Sequence, residues 1–251
     1  MIKFREIDHR YESVTPDSIK WKGVTTSIGL FKEKFDNSIS KKNSIDPNSK
    51  WFGIAPEEIL KIWDTERIRS TDLGSWWHKK MEDKEETNPR TIHCCPIKDD
   101  WKYAGTQILK DGLYPEFITY NAEFGICGQA DRVDVLDNVI NIQDWKTNKE
   151  IKMRSFRGKK MLYELSHLED CHLIHYTLQM SMYLWMLLQH NPNMKPGKLT
   201  LYHVKFEEDY KDQYGYPVYK IENGDYLVKE IVPIEVPYLE KEVISIIHSL
   251  Q

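Results

Sequence analysis

The chain has 251 residues, of which 40% are hydrophobic and 29% charged, and its net charge at pH 7 is −4. This composition is typical of a globular protein with a real core, and it argues against a protein that coats nucleic acid through overall positive charge. No apolar run approaches the ~20 residues of a membrane-spanning helix, and the charged N-terminus lacks the apolar stretch of a secretory signal. We therefore expect an intracellular protein with no membrane partner.

The first part of the chain predicts mainly helices. Residues 1–69 form a predicted N-terminal helical extension, which contains a polar, turn-rich loop at 36–50. Helices are predicted at 55–70, 70–86 and 99–112, because apolar residues recur there and suitable capping residues stand at the helix ends.

The second part predicts a sheet and two further helices. Residues 117–146 are rich in β-branched and aromatic residues and predict three consecutive antiparallel strands. A long apolar helix is predicted at 169–191, a strand at 198–206 and a C-terminal helix within 235–251. Together the elements predict one α/β domain over residues 1–251, with a central mixed sheet that contains an antiparallel meander and is flanked by helices.

Two aspartates interrupt the apolar alternation of the second and third predicted strands. If residues 137–138 form a two-residue hairpin turn, Asp131 lies directly opposite Asp144, and Lys146 shares the face of Asp144. Like charges at opposed positions, about 5 Å apart, are destabilising. Either a divalent cation binds between the carboxylates, or each carboxylate pairs with a basic side chain, for which Arg132 and Lys146 are available. The spacing alone leaves both alternatives open.

Four motifs, in this order along the chain, carry a resemblance to a known family. They are Gly74-x-x-x-His78-x-x-x-Glu82, Gly128-Gln129-Ala130-Asp131, Asp144-x-Lys146 and Tyr176-x-x-Gln179-x-x-x-Tyr183. Together they resemble the PD-(D/E)xK nuclease superfamily, and more closely its RecB-like exonuclease branch. The resemblance covers about residues 70–190 and implies a restriction-endonuclease-like core at about 70–206. Some members of the branch bind an iron–sulfur cluster through cysteines near the C-terminus. The last cysteine here is Cys171, so no iron–sulfur cluster is expected.

The resemblance implies a metal-dependent DNA exonuclease that leaves 5′-phosphates and acts in recombination, repair or replication, plausibly in a phage. Asp131 and Asp144 would bind Mg²⁺ or Mn²⁺, with His78 and the backbone carbonyl of Trp145 as further ligands. Lys146 would orient or deprotonate the attacking water and stabilise the charge that develops on the phosphate. An endonuclease of the same superfamily and a catalytically silent DNA-binding module are the alternatives.

Four further residues are candidates for the surroundings of this site. Gln179 and Tyr183 lie one helical turn apart and would line the active-site cleft, although packing of an apolar helix explains Tyr183 equally well. Glu82, one turn after His78, and Glu123, just before the second strand, are candidates for outer contacts to the metal.

A basic segment follows Lys146 directly. We predict that it contacts DNA phosphates through Lys149, Lys152, Arg154, Arg157, Lys159 and Lys160. The alternative for such a run of charge is a solvated loop. Single-stranded bases would stack on Trp76, Trp77, Trp101 and Trp145, unless these side chains lie in the core. The expected partner is DNA with a free or single-stranded end.

Overall fold

The structure is a computed structural model, and it describes residues 2–15 and 19–250. The described α-helices are α1 (Val24–Gly29), α2 (Ser38–Ile45), α3 (Pro56–Glu85), α4 (His172–His190) and α5 (Glu240–His248). The described strands are β1 (Ile2–Arg5), β2 (Arg10–Ser13), β3 (Lys22–Gly23), β4 (Ile97–Lys98), β5 (Trp101–Tyr103), β6 (Gly112–Asn121), β7 (Ile126–Leu136), β8 (Val139–Lys146), β9 (Lys195–Phe206), β10 (Glu208–Lys211), β11 (Pro217–Tyr219), β12 (Ile221–Glu222), β13 (Asp225–Tyr226) and β14 (Val228–Val236). None of the helices in these ranges is long and apolar enough to cross a membrane.

A mixed sheet forms the centre of the fold. Its strand order is β14-β9-β8-β7-β3. Strand β6 also pairs with β7, along the edge opposite β8. The pairs β6–β7, β7–β8 and β9–β14 are antiparallel, whereas β8–β9 and β3–β7 are parallel. The predicted α/β class is therefore confirmed, and so are the central mixed sheet and its antiparallel meander.

The main core lies between this sheet and α4. Leu178 and Met182 of α4 are fully buried, as are Ile140 and Ile142 of β8. Burying a large apolar side chain contributes about 1.5–3 kcal/mol, so this layer supplies much of the stability. Helices α1 and α5 contact α4 and contribute to the same core.

Helix α3 packs on the other face of the sheet. Leu73 and Trp77 bury their side chains against Val204 and Phe206 of β9. The 30-residue helix ends beside the strands that carry the two aspartates, and His78 is the residue directly after Trp77. The position of α3 thus brings its histidine to the sheet.

The two helices predicted at 55–70 and 70–86 form one continuous helix. Ser, Thr and Asp at 70–72 were expected to cap a new helix. Instead Thr71 Oγ1 donates a hydrogen bond to the carbonyl of Arg67, 2.9 Å away, within the same helix. Threonine can satisfy its hydroxyl in this way without ending a helix.

The prediction of a helix at 99–112 is wrong. Asp99 and Asp100 have left-handed φ values of 50° and 64° and form the turn between β4 and β5. Strand β5 then pairs with β1, in a second sheet of order β2-β1-β5-β4. The predicted helical extension at 1–69 is wrong in part, because residues 1–69 also contain the strands β1, β2 and β3, and their first helix, α1, begins only at Val24. Residues 1 and 16–18 lie outside the described residues.

The remaining predicted elements are present with shifted ends. The meander begins at Gly112 rather than 117, and β9 begins at Lys195 rather than 198. The C-terminal helix predicted within 235–251 begins at Glu240, because β14 continues to Val236; residue 251 lies outside the described residues. The division of the chain into a single domain stays a prediction.

Candidate active site

The β7–β8 hairpin has the predicted register. Its turn residues at 137–138 both have left-handed φ values, 53° and 59°, as a two-residue hairpin turn requires. Backbone pairing runs back to Arg132 opposite Gln143. Beyond that pair, the Asp131 carboxylate accepts a hydrogen bond from the backbone N–H of Trp145, at 2.7 Å. Asp131 therefore lies where the two strands separate.

Three side chains meet at this point. His78 Nδ1 lies 3.3 Å from Glu116 Oε1 and 3.6 Å from Asp131 Oδ2. One ligand atom from each of the three residues lies within 4.8 Å of the others. Two carboxylates and an imidazole suit a hard or borderline divalent cation, and the structure brings the predicted ligands His78 and Asp131 together.

Glu116 was not among the predicted site residues. It lies in β6 opposite Asp131, between the pairs Pro115–Arg132 and Phe117–Ala130. Its φ of 47° is unusual for a residue other than glycine and breaks the regular alternation of the strand. Strand alternation therefore could not predict its direction. The available signal was the register of the β6–β7 hairpin, which places Glu116 opposite Asp131.

Gln129 holds the Glu116 carboxylate in place. Its side-chain amide donates a hydrogen bond to Glu116 Oε2, at 2.8 Å. The motif residue two positions before Asp131 thus positions a second acid beside it. This contact leaves Glu116 Oε1 directed at His78.

The third predicted side-chain ligand, Asp144, lies outside the cluster of His78, Glu116 and Asp131. It is 1% exposed, and Lys146 Nζ stands 2.5 Å from its Oδ2. Within the described part of the chain, no other hydrogen-bond donor approaches this carboxylate. A buried carboxylate with so few donors is costly, and a cation would satisfy its free lone pairs. The Trp145 carbonyl stays a predicted ligand.

The pKa values show that the site is short of positive charge. Burial and the charge of Asp131 raise the pKa of Asp144 to about 6, against the effect of Lys146. Burial likewise raises the pKa of Asp131. Burial alone would lower the pKa of His78 and of Lys146. The nearby carboxylates outweigh it, raising the pKa of His78 to about 9 and that of Lys146 above its ordinary value. A bound dication would compensate this excess of acid.

Lys146 is oriented by contacts from α4 and β9. Its Nζ lies 4.9 Å from the centroid of the Tyr176 ring. The Tyr176 hydroxyl donates to the side-chain oxygen of Asn148 at 2.8 Å, and the buried His203 ring places Nε2 2.7 Å from the Asn148 carbonyl. His203 is also the β9 partner of Lys146. The sequence indicated Tyr176 through its motif, but not Asn148 or His203.

Gln179 and Tyr183 form a pair on α4. The Gln179 amide donates to the Tyr183 hydroxyl at 3.0 Å. Tyr183 is buried against Gly128, where an added β-carbon would stand 2.5 Å from the tyrosine ring. The glycine therefore permits α4 to approach β7. Packing against Gly128 therefore explains the position of Tyr183. Gln179 is only half-buried, so packing does not explain it in the same way.

The two predicted outer acids have different positions. Glu82 borders the same narrow cleft as Glu116 and Asp131. Its carboxylate contacts Lys79 and Lys102 at 3.3 Å each. Glu123 is exposed in the turn between β6 and β7. It lies beyond the start of β7 at Ile126, which is itself five residues, or roughly 16 Å, from Asp131. The structure does not bring Glu123 to the site.

The six basic residues predicted to contact phosphates are all exposed, and they lie in the connection between β8 and α4. Two of them already have partners. Lys159 pairs with Glu33 and Asp170, and Lys160 donates to the carbonyl of His167.

The four tryptophans proposed for base stacking contact protein instead. Trp77 is 3% exposed in the α3 core, so its predicted role in stacking is wrong. Trp145 stacks on Tyr202, with ring centroids 4.5 Å apart. Trp76 packs edge-on against Tyr226, and Trp101 lies beneath Lys3 and Arg5. Aromatic residues of β9 and β13 and the cations of β1 therefore contact these rings.

Comparison with known proteins agrees with this geometry. The model of the PD-(D/E)XK nuclease superfamily matches residues 100–232, which is more than half of the chain and includes Asp131, Asp144 and Lys146. The chain therefore belongs to the PD-(D/E)XK nuclease superfamily. No curated protein and no solved structure matches it. Membership makes it a nuclease of a metal-dependent class that acts on DNA.

Proposed function

We propose that the chain is a metal-dependent DNA exonuclease of the RecB-like branch, which hydrolyses phosphodiester bonds from a DNA end and leaves 5′-phosphates. The observation that carries the proposal is the meeting of His78, Glu116 and Asp131 beside the buried Asp144–Lys146 pair. The order of the four motifs supports the exonuclease branch. The proposed role is DNA recombination, repair or replication inside a cell, and the proposed source of the gene is a phage.

The donor set fits the proposed cofactor, Mg²⁺ or Mn²⁺. His78, Glu116 and Asp131 would hold the ion, and Asp144 would join them on release from Lys146. When bound, such an ion neutralises charge on the phosphate and activates water for attack. No iron–sulfur cluster enters the proposal.

Lys146 acts in this proposal as a donor. The neighbouring carboxylates keep its ammonium protonated, so it can hold the attacking water and stabilise negative charge on the phosphate. Tyr176 and Asn148 restrict where the ammonium can point. Gln179 is half-buried on α4, on the same face as Tyr176, and would border the active-site cleft.

Digestion of linear and closed-circular DNA, with Mg²⁺, Mn²⁺ or EDTA, tests the proposal. Metal-dependent loss of linear DNA alone supports an exonuclease, and ligation of the products after annealing tests for 5′-phosphates. Cleavage of the closed circle indicates an endonuclease, whereas binding without cleavage indicates a silent module. Asp131→Asn should be inactive, and Glu123→Gln, in the exposed turn, is the matched control that should retain activity.

A further inference from the structure

The connection between β8 and α4 exposes two large aromatic side chains. Phe156 is 75% exposed and Tyr163 is 71% exposed. Single exposed apolar residues are common, but here they occur together. Leu30 and Phe35, in a segment that this connection contacts, are exposed as well. The exposed apolar side chains therefore belong to two segments that contact each other, through Leu162 and Phe31 and through Lys159 and Glu33.

The backbone of this connection is held firmly. Ser155 N–H donates to the Glu169 carboxylate at 2.8 Å, and Leu162 N–H donates to the Phe31 carbonyl at 2.8 Å. Ile151 and Met161 are buried and anchor it at both ends. The exposed rings are thus presented by an ordered segment.

A sharp reversal places an aromatic ring and a cation together at the tip. Phe156–Gly158 form a short 3₁₀ turn, in which Arg157 and Gly158 have left-handed φ values of 54° and 71°. The Arg157 guanidinium lies 5.0 Å from the centroid of the Phe156 ring. A stacked arginine leaves its charge available to an anion.

The charge of this segment is largely unpaired. Among the described residues, no carboxylate forms an ion pair with Lys149, Lys152, Arg154 or Arg157, in contrast to Lys159. Exposed cations beside exposed aromatic rings are the composition of surfaces that bind single-stranded DNA, because phosphates meet the cations and bases stack on the rings. In a duplex the base faces are covered and offer the rings nothing to stack on.

The segment leads away from the catalytic lysine. Lys149 lies three residues after Lys146, at most about 10 Å along the chain. The backbone N–H of Lys152 meets His172 Nδ1 at 3.4 Å, and His172 stands one helical turn before Tyr176, the ring beside Lys146. A DNA strand that leaves the site along this segment would meet Lys149 and Lys152 first and the ring of Phe156 afterwards.

We propose that residues 149–163 bind the single-stranded DNA next to the scissile end, with Phe156 and Tyr163 stacked on bases and the unpaired cations on phosphates. This inference rests on the proposed function for its place in the substrate path. It narrows the substrate class to single strands and overhangs.

Binding in EDTA, where no metal supports cleavage, tests the proposal directly. Fluorescence anisotropy would compare a labelled single strand of about 12 nucleotides with a blunt duplex. Phe156→Ala and Tyr163→Ala should each weaken single-strand binding about tenfold, and duplex binding less than about twofold, because only unpaired bases stack. Phe52→Ala and Tyr210→Ala remove exposed rings elsewhere and should change neither affinity.

The outcomes separate this site from the proposed function. Unchanged single-strand affinity in both loop variants would overturn the site, even if the wild-type protein digests linear DNA. An equal loss on single strand and duplex would also overturn it, since stacking cannot explain that result. Selective loss of single-strand binding supports the site even if no cleavage of DNA is found.

Discussion

Replacing Lys146 with methionine separates catalysis from folding at the centre of the site. Methionine keeps the unbranched shape of the side chain, one atom shorter, and removes its charge. The ammonium lies 2.5 Å from Asp144, so the variant leaves a buried carboxyl without its donor. If the lysine stabilises charge on the phosphate, the cleavage rate should fall about 10²–10³-fold.

Protonation of Asp144 limits the cost to stability. Beside Lys146 its pKa is already about 6 instead of 3.8, which corresponds to about 3 kcal/mol against the ionised form. Without the lysine the pKa rises further and the carboxyl is neutral at pH 7. The additional cost through Asp144 at that pH is therefore at most about 1.4 kcal/mol.

The pH dependence has a defined sign. A raised carboxyl pKa means that the folded protein binds this proton more tightly than the unfolded chain does. The stability that this proton contributes is fully present below pH 3.8 and is lost as the pH rises through about 6. The cost of Lys146→Met through Asp144 should thus be near zero at about pH 5 and should grow towards pH 8.

Urea unfolding in EDTA at these two pH values measures the stability, and single-turnover digestion of linear DNA with Mg²⁺ measures the rate. The double variant Lys146→Met/Asp144→Asn should recover stability at pH 8 and remain inactive, because both buried charges are gone. A Lys146→Met protein that digests DNA at nearly the wild-type rate would refute the reasoning. The Asp144–Lys146 pair would then be the purely structural ion pair that the spacing of the sequence also allows.

Three other variants test the surroundings of the site. Glu116→Gln should weaken Mn²⁺ binding at least about tenfold by calorimetry, because it removes a ligand charge, whereas Glu123→Gln should bind like the wild type. His175 lies in the first turn of α4, with Nε2 2.8 Å from Asp170 Oδ1. Burial and the charge of Lys32 nevertheless lower the pKa of His175 to about 4, so the stability linked to this group is present above pH 6.5 and lost as the pH falls towards 4. Urea unfolding should show a fall of up to about 3 kcal/mol over that range, and His175→Gln should remove this part of the slope; an identical slope in the variant would contradict the assignment. Arg154→Ala combined with Arg157→Ala should reduce the salt dependence of single-strand binding by roughly 1.4 in log–log slope, and an unchanged slope would make the basic segment a solvated loop.

The part of the site within the β7–β8 hairpin could be predicted because its geometry is local. Two turn residues that tolerate left-handed backbone set the register, and alternation places the acids. Glu116 could not be predicted in this way, because its direction depends on a distorted backbone angle. His203 reaches Asn148 only through the parallel pairing of β8 with β9, whose strands are separated in sequence by a whole helix.

The errors in the predicted secondary structure have similar causes. The segment at 99–112 has apolar residues at helical spacing, but its first residues pair with β1, nearly 100 residues away in sequence. Such long-range pairing overrides local preference and leaves little trace in a single sequence. The break predicted at residue 70 failed for the opposite reason. The candidate cap Thr71 is satisfied inside the helix, no proline follows Pro56 within it, and Gly74 lies inside the helix without ending it.

The connection between β8 and β9 has an evolutionary consequence. Parallel neighbours need a crossover, and here residues 149–171 of that crossover, which follow Asn148, run outside the sheet before α4 begins. The register of the strands does not depend on the length of this outer stretch. Insertions, deletions or exchanges within it would leave the acidic centre in place. With the DNA-binding role proposed for this stretch, hydrolysis and DNA binding can diverge separately, and transplanting the stretch between related nucleases should change which DNA they bind without changing the residues of the acidic cluster.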